Sequence, residues 1–219
     1  IGIDRNLDNL TIADSDKAYA YDLSEATRIK ATYREVKSHL KRNDVRIRKR
    51  VFGKYGVKQR NRVKQILHRV SKDIVEKARE SQSAIIMEKL TGLRRLYRKG
   101  NGQGRNYRAK LNSWSFGEIQ RQIEYKARWE GLPVIYVESR GTSKKCSICG
   151  LDLIPEENRV LRCPLHGLVD RDVNGARSIL AKGRLRFGLD GSPSEAMVEE
   201  RQPLILKVDG DKLPQQPKR

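Results

Sequence analysis

Short runs of apolar residues at the start of the chain predict three β-strands. They cover residues 1–4, 9–13 and 17–21, and the last of them alternates alanine with tyrosine. The polar stretch Asp14-Ser15-Asp16 separates the second run from the third, and such residues favour turns because they hydrogen-bond to their own backbone. Three strands in succession predict an antiparallel meander.

A helical repeat of apolar residues follows in the middle of the chain. It consists of Val63, Ile66, Leu67, Val70, Ile74, Val75 and Ala78, and this spacing predicts an amphipathic helix packed on the sheet. Residues 84–88 predict the next strand. Ser115 and Glu118 match a capping box at the start of another helix, which Gly131 ends, and residues 132–137 predict a further strand. The alternation of strand, helix and strand predicts an α/β sheet with parallel members.

The charge of the chain indicates a polyanionic partner. The 219 residues, enough for one sizeable core plus an insertion, include 47 Lys and Arg against 27 Asp and Glu, a net charge of +20. Residues 30–72 predict helical structure broken at residues 52–56, and their high density of Lys and Arg favours a phosphate-facing surface. A solvated helical hairpin is the alternative for this stretch. Ribosomal proteins and membrane-surface binders share this composition, but no apolar run approaches the roughly 20 residues that cross a bilayer.

Three acidic residues stand out from the apolar pattern. Asp4 and Glu88 end predicted strands, where a buried strand would otherwise continue with apolar side chains. Asp172 precedes a short helical run and is predicted to be its N-cap. A lone acid near a strand end is usually a turn or cap residue. Three acids that converge from two strands and a helix would instead bind divalent metal, and two metals about 3.5–4 Å apart support phosphodiester cleavage.

A cluster of cysteine and histidine near the end of the chain predicts a structural zinc site. Cys146 and Cys149 form one pair of ligands, and Cys163 and His166 form the other. This spacing is typical of a tetrahedral zinc ribbon that leaves no position open for water. A thiol pair with an incidental His is the alternative. Three Cys within 18 residues also indicate a reducing compartment, and we predict a cytoplasmic, nucleoid-associated protein.

Four motifs together resemble the TnpB (OrfB) proteins of insertion-sequence transposons, which are relatives of the type V CRISPR effector nucleases. The motifs are Gly2-Ile3-Asp4, Met87-Glu88-Lys89-Leu90, Thr142-Ser143-Lys144-Lys145-Cys146-Ser147-Ile148-Cys149-Gly150 and Asp170-Arg171-Asp172-Val173-Asn174-Gly175-Ala176-Arg177-Ser178-Ile179. The resemblance covers about residues 1–183. It implies an α/β, RNase H-like (RuvC-like) mixed sheet with flanking helices, a basic helical insertion and a zinc-ribbon insertion.

The resemblance also implies domain boundaries and site residues. The nuclease domain would comprise residues 1–139 and 168–183, split by a zinc ribbon at 140–167, with a poorly ordered tail at 184–219. Asp4, Glu88 and Asp172 match the catalytic acids, which would hold Mg or Mn, and Asp170 is the second choice for the third acid. The ribbon ligands Cys146, Cys149, Cys163 and His166 would hold Zn. His166 stands where the family usually has a fourth Cys, and zinc accepts either residue.

The function implied by the resemblance is that of a transposon-encoded, metal-dependent DNA endonuclease, guided by RNA in the intact protein. Family members carry an N-terminal region that holds the guide RNA, whereas this chain begins at the first catalytic strand and without an initiator Met. We therefore expect either the nuclease half of a longer protein or a remnant of one. One alternative is a zinc-containing nucleic-acid-binding protein without catalytic activity. Another is a transposase that joins DNA ends as well as cutting them. For that alternative the sequence offers no Tyr or Ser nucleophile motif, although a bound 3′-hydroxyl could serve.

Overall fold

A computed structural model describes residues 1–40, 44–92, 102–139 and 141–186, together with the backbone of residues 204–206. Its nine strands within these residues are β1 (Gly2–Arg5), β2 (Asn9–Ala13), β3 (Ala18–Asp22), β4 (Ile85–Glu88), β5 (Val134–Val137), β6 (Ile154–Pro155), β7 (Val160–Cys163), β8 (Gly167–Asp170) and β9 (Leu204–Leu206). The helices are α1 (Ser24–Ser38), α2 (Gly53–Glu80), α3 (Arg105–Asn112), α4 (Phe116–Trp129) and α5 (Arg171–Arg186), and a π-helical segment covers Ile47–Phe52.

Six strands form a mixed sheet in the order β5-β4-β1-β2-β3-β9. β1, β2 and β3 pair antiparallel, which confirms the predicted meander. β4 pairs parallel with both β1 and β5, because the long crossovers through α2 and α4 return the chain to the same end of the sheet. The predicted mixed α/β architecture is therefore confirmed.

Side chains alternate between two helical layers along β1 and β4, since successive residues of a strand point to opposite faces. Ile3 and Met87 pack into the main core together with α1, α2 and α4. On the other face, Ile86 packs against Ile179 of α5. Gly2 lies so close to α5 that an added Cβ would come within 2.3 Å of its backbone. The sheet thus lies between three helices on one face and α5 on the other.

The apolar repeat of α2 is buried over its whole predicted length, from Val63 to Ala78. The predicted break at residues 52–56 is wrong, because helical backbone continues from the π-helical segment into α2. A single exposed Gly costs a helix only about 1 kcal/mol relative to Ala. The edge-to-face packing of Tyr55 on Tyr33 holds this turn against α1. The non-helical residues described directly after α1 are His39 and Leu40, which form a turn and a bend.

Two other predicted local features differ from the structure. The capping box at the start of α4 does not form, because Ser115 Oγ accepts a hydrogen bond from Lys30 and the Glu118 carboxylate binds Arg121 and Gln122. The tail predicted to be poorly ordered contributes regular structure, since α5 extends to Arg186 and β9 pairs parallel with β3. Residues 187–203 and 207–219 lie outside the described part of the chain.

The strands β6, β7 and β8 form a second, three-stranded antiparallel sheet. The last of these strands leads directly into α5, whose first residue is Arg171. This small sheet is therefore joined without a linker to the helix that covers one face of the large sheet. In the described part of the chain, no helix has both the length and the apolar character needed to span a membrane.

Candidate active site and metal site

Two of the predicted acids lie near the carboxyl ends of neighbouring strands of the large sheet. β1 and β4 run parallel, with Ile3 opposite Met87. Asp4 and Glu88 are the next residues of these strands and therefore lie side by side, on strands about 4.8 Å apart. By the alternation along each strand, both side chains belong to the face that α5 covers. The buried guanidinium of Arg5 donates a hydrogen bond to the backbone carbonyl of Glu88 and so fixes the end of β4.

The third predicted acid lies at the start of α5, but it is not the cap. Asp170 Oδ1 accepts the backbone N–H groups of Asp172 and Val173 at 2.8 and 2.9 Å. The predicted N-cap role of Asp172 is therefore wrong, and Asp170 has that role, because β8 extends through Asp170 and the helix begins one residue later. The side chain of Asp172 is instead buried, where Asn9 Nδ2 donates a hydrogen bond to its Oδ2 at 2.9 Å.

Gly175 allows α5 to approach the acid at the end of β1. A Cβ added at Gly175 would lie 2.9 Å from Asp4 Oδ2, a distance that real Cβ atoms do not tolerate. The helix backbone thus passes directly over the carboxylate of Asp4, one turn from Asp172. A side chain at this position would have to displace Asp4. The close packing of α5 on Asp4 therefore explains the Gly of the Asp-Val-Asn-Gly sequence.

The three acids interact electrostatically. Burial, together with the nearby charges of Glu88 and Asp172, raises the pKa of Asp4 to about 7. Among the described residues, the three carboxylates do not form a group whose oxygens all lie within 4.8 Å of one another. Their oxygens are therefore more widely spaced than those of a single compact ligand group. Carboxylate oxygens are the ligands that Mg²⁺ and Mn²⁺ prefer.

The raised pKa of Asp4 predicts a pH-dependent stability of the protein without added Mg²⁺ or Mn²⁺. Between the ordinary pKa of about 3.9 and the folded value of about 7, the folded state holds a proton that the unfolded state has lost. The free energy of unfolding should therefore fall as pH rises through this window. Asp4→Asn removes the effect, so this variant should match the wild type near pH 4 and exceed its stability near pH 8.

Urea unfolding of both proteins across this pH range measures the effect. Asp8→Asn is the matched control, because Asp8 follows the same strand but is half-exposed and pairs with Lys110 at 2.8 Å. Wild-type and Asp4→Asn proteins that lose stability in parallel as pH rises would contradict the prediction.

Polar residues that the sequence did not single out contact each acid. Asn6 donates a hydrogen bond to Asp4 Oδ2 at 3.1 Å, and Thr142 Oγ1 donates one to Glu88 Oε1 at 2.6 Å. Asn6 follows β1, and Asn9 is the first residue of β2. Neither belongs to a periodic pattern of apolar or polar residues, so the sequence does not identify them. Thr142 lies within one of the motifs quoted above, which is the signal that could have identified it.

The four predicted zinc ligands converge. Their ligand atoms all lie within 4.8 Å of one another. Cys149 Sγ and Cys163 Sγ are 3.5 Å apart, and His166 Nδ1 lies 3.6 Å from Cys146 Sγ and 3.5 Å from Cys163 Sγ. Tetrahedral zinc with its usual bond lengths places two sulfurs about 3.8 Å apart and sulfur and nitrogen about 3.6 Å apart. The donor set and its spacing therefore fit a zinc ion.

The Cys/His cluster is joined to the helix of the acidic site by one side chain. Asn174 Oδ1 accepts the backbone N–H of Ser147 at 2.8 Å, and its Nδ2 donates to the carbonyl of Lys145 at 2.9 Å. Asn174 is fully buried and lies two residues after Asp172. The first pair of Cys ligands is thus fixed to the start of α5 through a residue of the Asp-Val-Asn-Gly sequence.

Known proteins are similar to this chain in sequence. The family model described as the Cas12f1-like TNB domain matches residues 116–179. A TnpB-like protein of Methanocaldococcus jannaschii is 37% identical over 152 residues, which are 69% of this chain and 53% of that protein. The CRISPR-associated endodeoxyribonuclease Cas12f1 of Sulfoacidibacillus thermotolerans is 34% identical over 118 residues, which are 51% of this chain and 25% of that protein. The chain thus spans about half the length of the first relative and a quarter of the second.

The fold resembles that of a protein chain in a solved complex. A cryo-EM structure of a Cas12f1–sgRNA–target DNA complex matches 81% of this chain and 48% of its own chain, with a TM-score of 0.59 and 19% sequence identity. At this identity the match concerns the fold alone.

Proposed function

We propose that this chain, which belongs to the TnpB (OrfB) family, is the catalytic part of a metal-dependent DNA endonuclease. The single observation that carries the proposal is the convergence of three acids from distant parts of the sequence. Asp4 and Glu88 lie side by side at the end of two parallel strands, and the charge of Asp172 reaches Asp4 from the start of α5. A structural role needs no such accumulation of repelling charge.

In this proposal Asp4, Glu88 and Asp172 hold the catalytic cations, Mg²⁺ or Mn²⁺. When bound, the cations activate water and neutralise charge on the scissile phosphate. The chain itself positions the ligands, since Asn6 and Thr142 orient the carboxylates of Asp4 and Glu88. The cap formed by Asp170 fixes the first turn of α5. The clustered charge also gives the site its affinity for cations, because ionised neighbours repel one another until a cation binds.

The large sheet and α5 correspond, in this proposal, to an RNase H-like (RuvC-like) nuclease domain. We assign residues 1–139 and 168–183 to this domain and residues 140–167 to a zinc ribbon inserted before the helix of the third acid, although β8 of the small sheet extends across this boundary to Asp170. Cys146, Cys149, Cys163 and His166 hold the structural Zn²⁺. The arrangement of their ligand atoms supports this assignment.

We further propose that the intact protein binds DNA and a guide RNA. Relatives named RNA-guided endonucleases support this, as does the Cas12f1 complex with its sgRNA and target DNA. In this chain, a groove of about 600 Å³ between α1, α2 and α4 is lined by Lys30, Lys37, Arg60, Lys64 and Arg121. Phosphates of a nucleic acid would neutralise these cations.

Purification of the complete natural protein from its host tests the proposal. RNA that copurifies should be sequenced, and the complex should then be offered matching DNA with and without Mg²⁺. We expect a defined RNA derived from the transposon end, and DNA cleavage that requires both the RNA and the metal. Tight binding of DNA without any metal-dependent cleavage would favour the non-catalytic binding protein instead.

The basic helical region should contribute phosphate contacts rather than base recognition. Arg46, Arg48 and Arg50 are exposed at the start of the long helical stretch. Their combined replacement by Gln should make the plot of log affinity against log salt less steep by about 2, because each lost contact to a single strand removes about 0.7. Fluorescence anisotropy with oligonucleotides of different sequence should show little change in sequence preference.

The control for this variant is the combined replacement of Lys72, Lys77 and Arg79 by Gln. It removes the same charge, but each of these side chains already pairs with an acid at 3.4–3.6 Å. We expect the control to retain the wild-type slope. If the wild type, the triple Arg variant and the control all give the same slope, Arg46, Arg48 and Arg50 do not contact phosphate.

A further inference from the structure

An arginine of the small sheet contacts the third acid. Arg159 lies in the turn between β6 and β7, and its Nη2 donates a hydrogen bond to Asp172 Oδ1. The Asp172 side chain is only 9% exposed, whereas that of Arg159 is 52% exposed. The buried carboxylate of Asp172 is therefore paired with a guanidinium group that is half-exposed to solvent.

The turn that carries this arginine is attached to the start of α5. Asn158 and Arg159 both have left-handed backbone conformations, with φ of 54° and 64°, which are uncommon for residues other than Gly. The carbonyl of Arg159 accepts the backbone N–H of Arg171 at 3.0 Å. The backbone conformation of this turn and its hydrogen bond to Arg171 therefore place Arg159 beside Asp172.

Both oxygens of the third acid are already used. Arg159 binds Oδ1, and Asn9 binds Oδ2. Each oxygen keeps a second lone pair that a divalent cation could use, and a cation bound there would lie close to both partners. The neutral amide of Asn9 can remain beside a cation, but the guanidinium carries a positive charge and is repelled by one. Arg159 is therefore the partner that a bound cation would displace.

We propose that Arg159 is an internal counter-ion, which holds Asp172 while no catalytic cation is present and releases it when Mg²⁺ or Mn²⁺ binds. This inference rests on the proposed function, because it takes Asp172 as a metal ligand. It makes Arg159 a positioning residue that competes with metal. It also couples occupation of the acidic site to the turn of the small sheet, since release of the side chain removes one of the contacts that fix this turn.

Mn²⁺ binding to the zinc-loaded chain tests the inference, with free Mn²⁺ measured by electron paramagnetic resonance. Arg159→Ala should bind Mn²⁺ about tenfold more tightly than the wild type, a difference of about 1.4 kcal/mol, because the ion no longer competes with the guanidinium for Asp172. Arg159→Lys, which keeps the charge but loses the planar fork, should lie between them. Circular dichroism and zinc content show that each variant is folded.

Arg162→Ala is the matched control. Arg162 belongs to the same hairpin, is 54% exposed and pairs with Glu156 at 2.6 Å, away from the three acids. This variant should bind Mn²⁺ with wild-type affinity. Hydrogen exchange gives a second readout, because Mn²⁺ should speed exchange at residues 156–160 in the wild type but not in Arg159→Ala.

Asp4→Asn separates the failure of this inference from failure of the proposed function. Loss of Mn²⁺ binding in Asp4→Asn together with tighter binding in Arg159→Ala supports the competition. If Asp4→Asn loses binding but Arg159→Ala binds as weakly as the wild type or more weakly, Arg159 does not compete with metal and the inference is overturned. If Asp4→Asn retains full binding, the acids are not the metal site, and both the proposed function and the inference fall.

Discussion

Replacement of Asp4 by Asn should abolish metal-dependent DNA cleavage, with a loss of about 10³-fold or more, which corresponds to at least about 4 kcal/mol in the barrier. The amide has nearly the same shape as the carboxylate but cannot neutralise a cation. Asp4 lies beside Glu88 and under the backbone of α5 at Gly175, so its oxygens face both other elements of the site. The fold and the affinity for nucleic acid should remain, because the basic surfaces are unchanged.

Cleavage of labelled DNA by the complete protein with its RNA measures the effect. The control is Asp8→Asn, which removes an acid from the loop after β1 but leaves the site intact, and it should cleave at the wild-type rate. Glu88→Gln and Asp172→Asn should fail to cleave in the same way as Asp4→Asn. Normal cleavage by Asp4→Asn, with binding and folding intact, would leave the convergence of acids without a catalytic role.

The two acids of the Asp-Arg-Asp sequence should behave differently. Asp170 caps α5 through two backbone N–H groups, so Asp170→Ala should lower the free energy of unfolding by about 1 kcal/mol. Asp172 makes no such contact in the described structure and instead reaches Asn9 and Arg159. Its replacement should therefore affect cleavage far more than stability. Cleavage assays and urea unfolding on both variants separate the two roles.

The strands β1 to β5 and the helices α2 and α4 could be predicted from the sequence, because short apolar runs mark the strands and a helical spacing of apolar residues marks the helices. The apolar runs at residues 1–4 and 84–88 predict two buried strands that carry Asp4 and Glu88, and the repeat from Val63 to Ala78 predicts the helix that precedes the second of them. The relative position of the two acids then follows from the parallel pairing of β1 with β4. This part of the candidate site is therefore implicit in the pattern of apolar residues.

The rest of the site depends on contacts that leave no local pattern. Asp170 and Asp172 are both good helix caps by residue type, and only the end of β8 decides between them. Arg159 reaches Asp172 because the turn before β7 is attached to α5, a contact between elements whose packing the sequence does not reveal. Single polar residues such as Asn9 have no periodicity at all. The contacts and roles of these residues can be identified only from the tertiary structure.

Removal of the zinc ligand Cys146 should release the zinc and unfold the segment from residue 141 to 170. The apolar cluster of this segment is small, and two of its three buried members, Cys146 and Cys163, are themselves zinc ligands. So few apolar contacts cannot offset the entropy of ordering the chain. Structural zinc contributes about 10–16 kcal/mol in small zinc-binding peptides, and we expect folding of this segment to depend on the metal in the same way.

Elemental analysis of Cys146→Ser should give much less zinc than the roughly one ion per chain that the four ligands imply, and limited proteolysis should cut the segment. Ser147→Ala is the control, because only the backbone N–H of Ser147 bonds to Asn174; it should retain zinc and resist proteolysis. Full zinc content in Cys146→Ser would contradict the assignment of the four ligands.

Loss of zinc should also disturb the position of Asp172 in the acidic site. Asn174 joins residues 145 and 147 to α5, and the turn of Arg159 is bonded to the first residue of that helix. Without the folded segment, the first turn of α5 loses these supports, and Asp172 is no longer held beside Asp4. Cys146→Ser should therefore cleave DNA much more slowly even though all three acids are present. Wild-type cleavage by the zinc-free variant would show that α5 positions Asp172 without help from the small sheet.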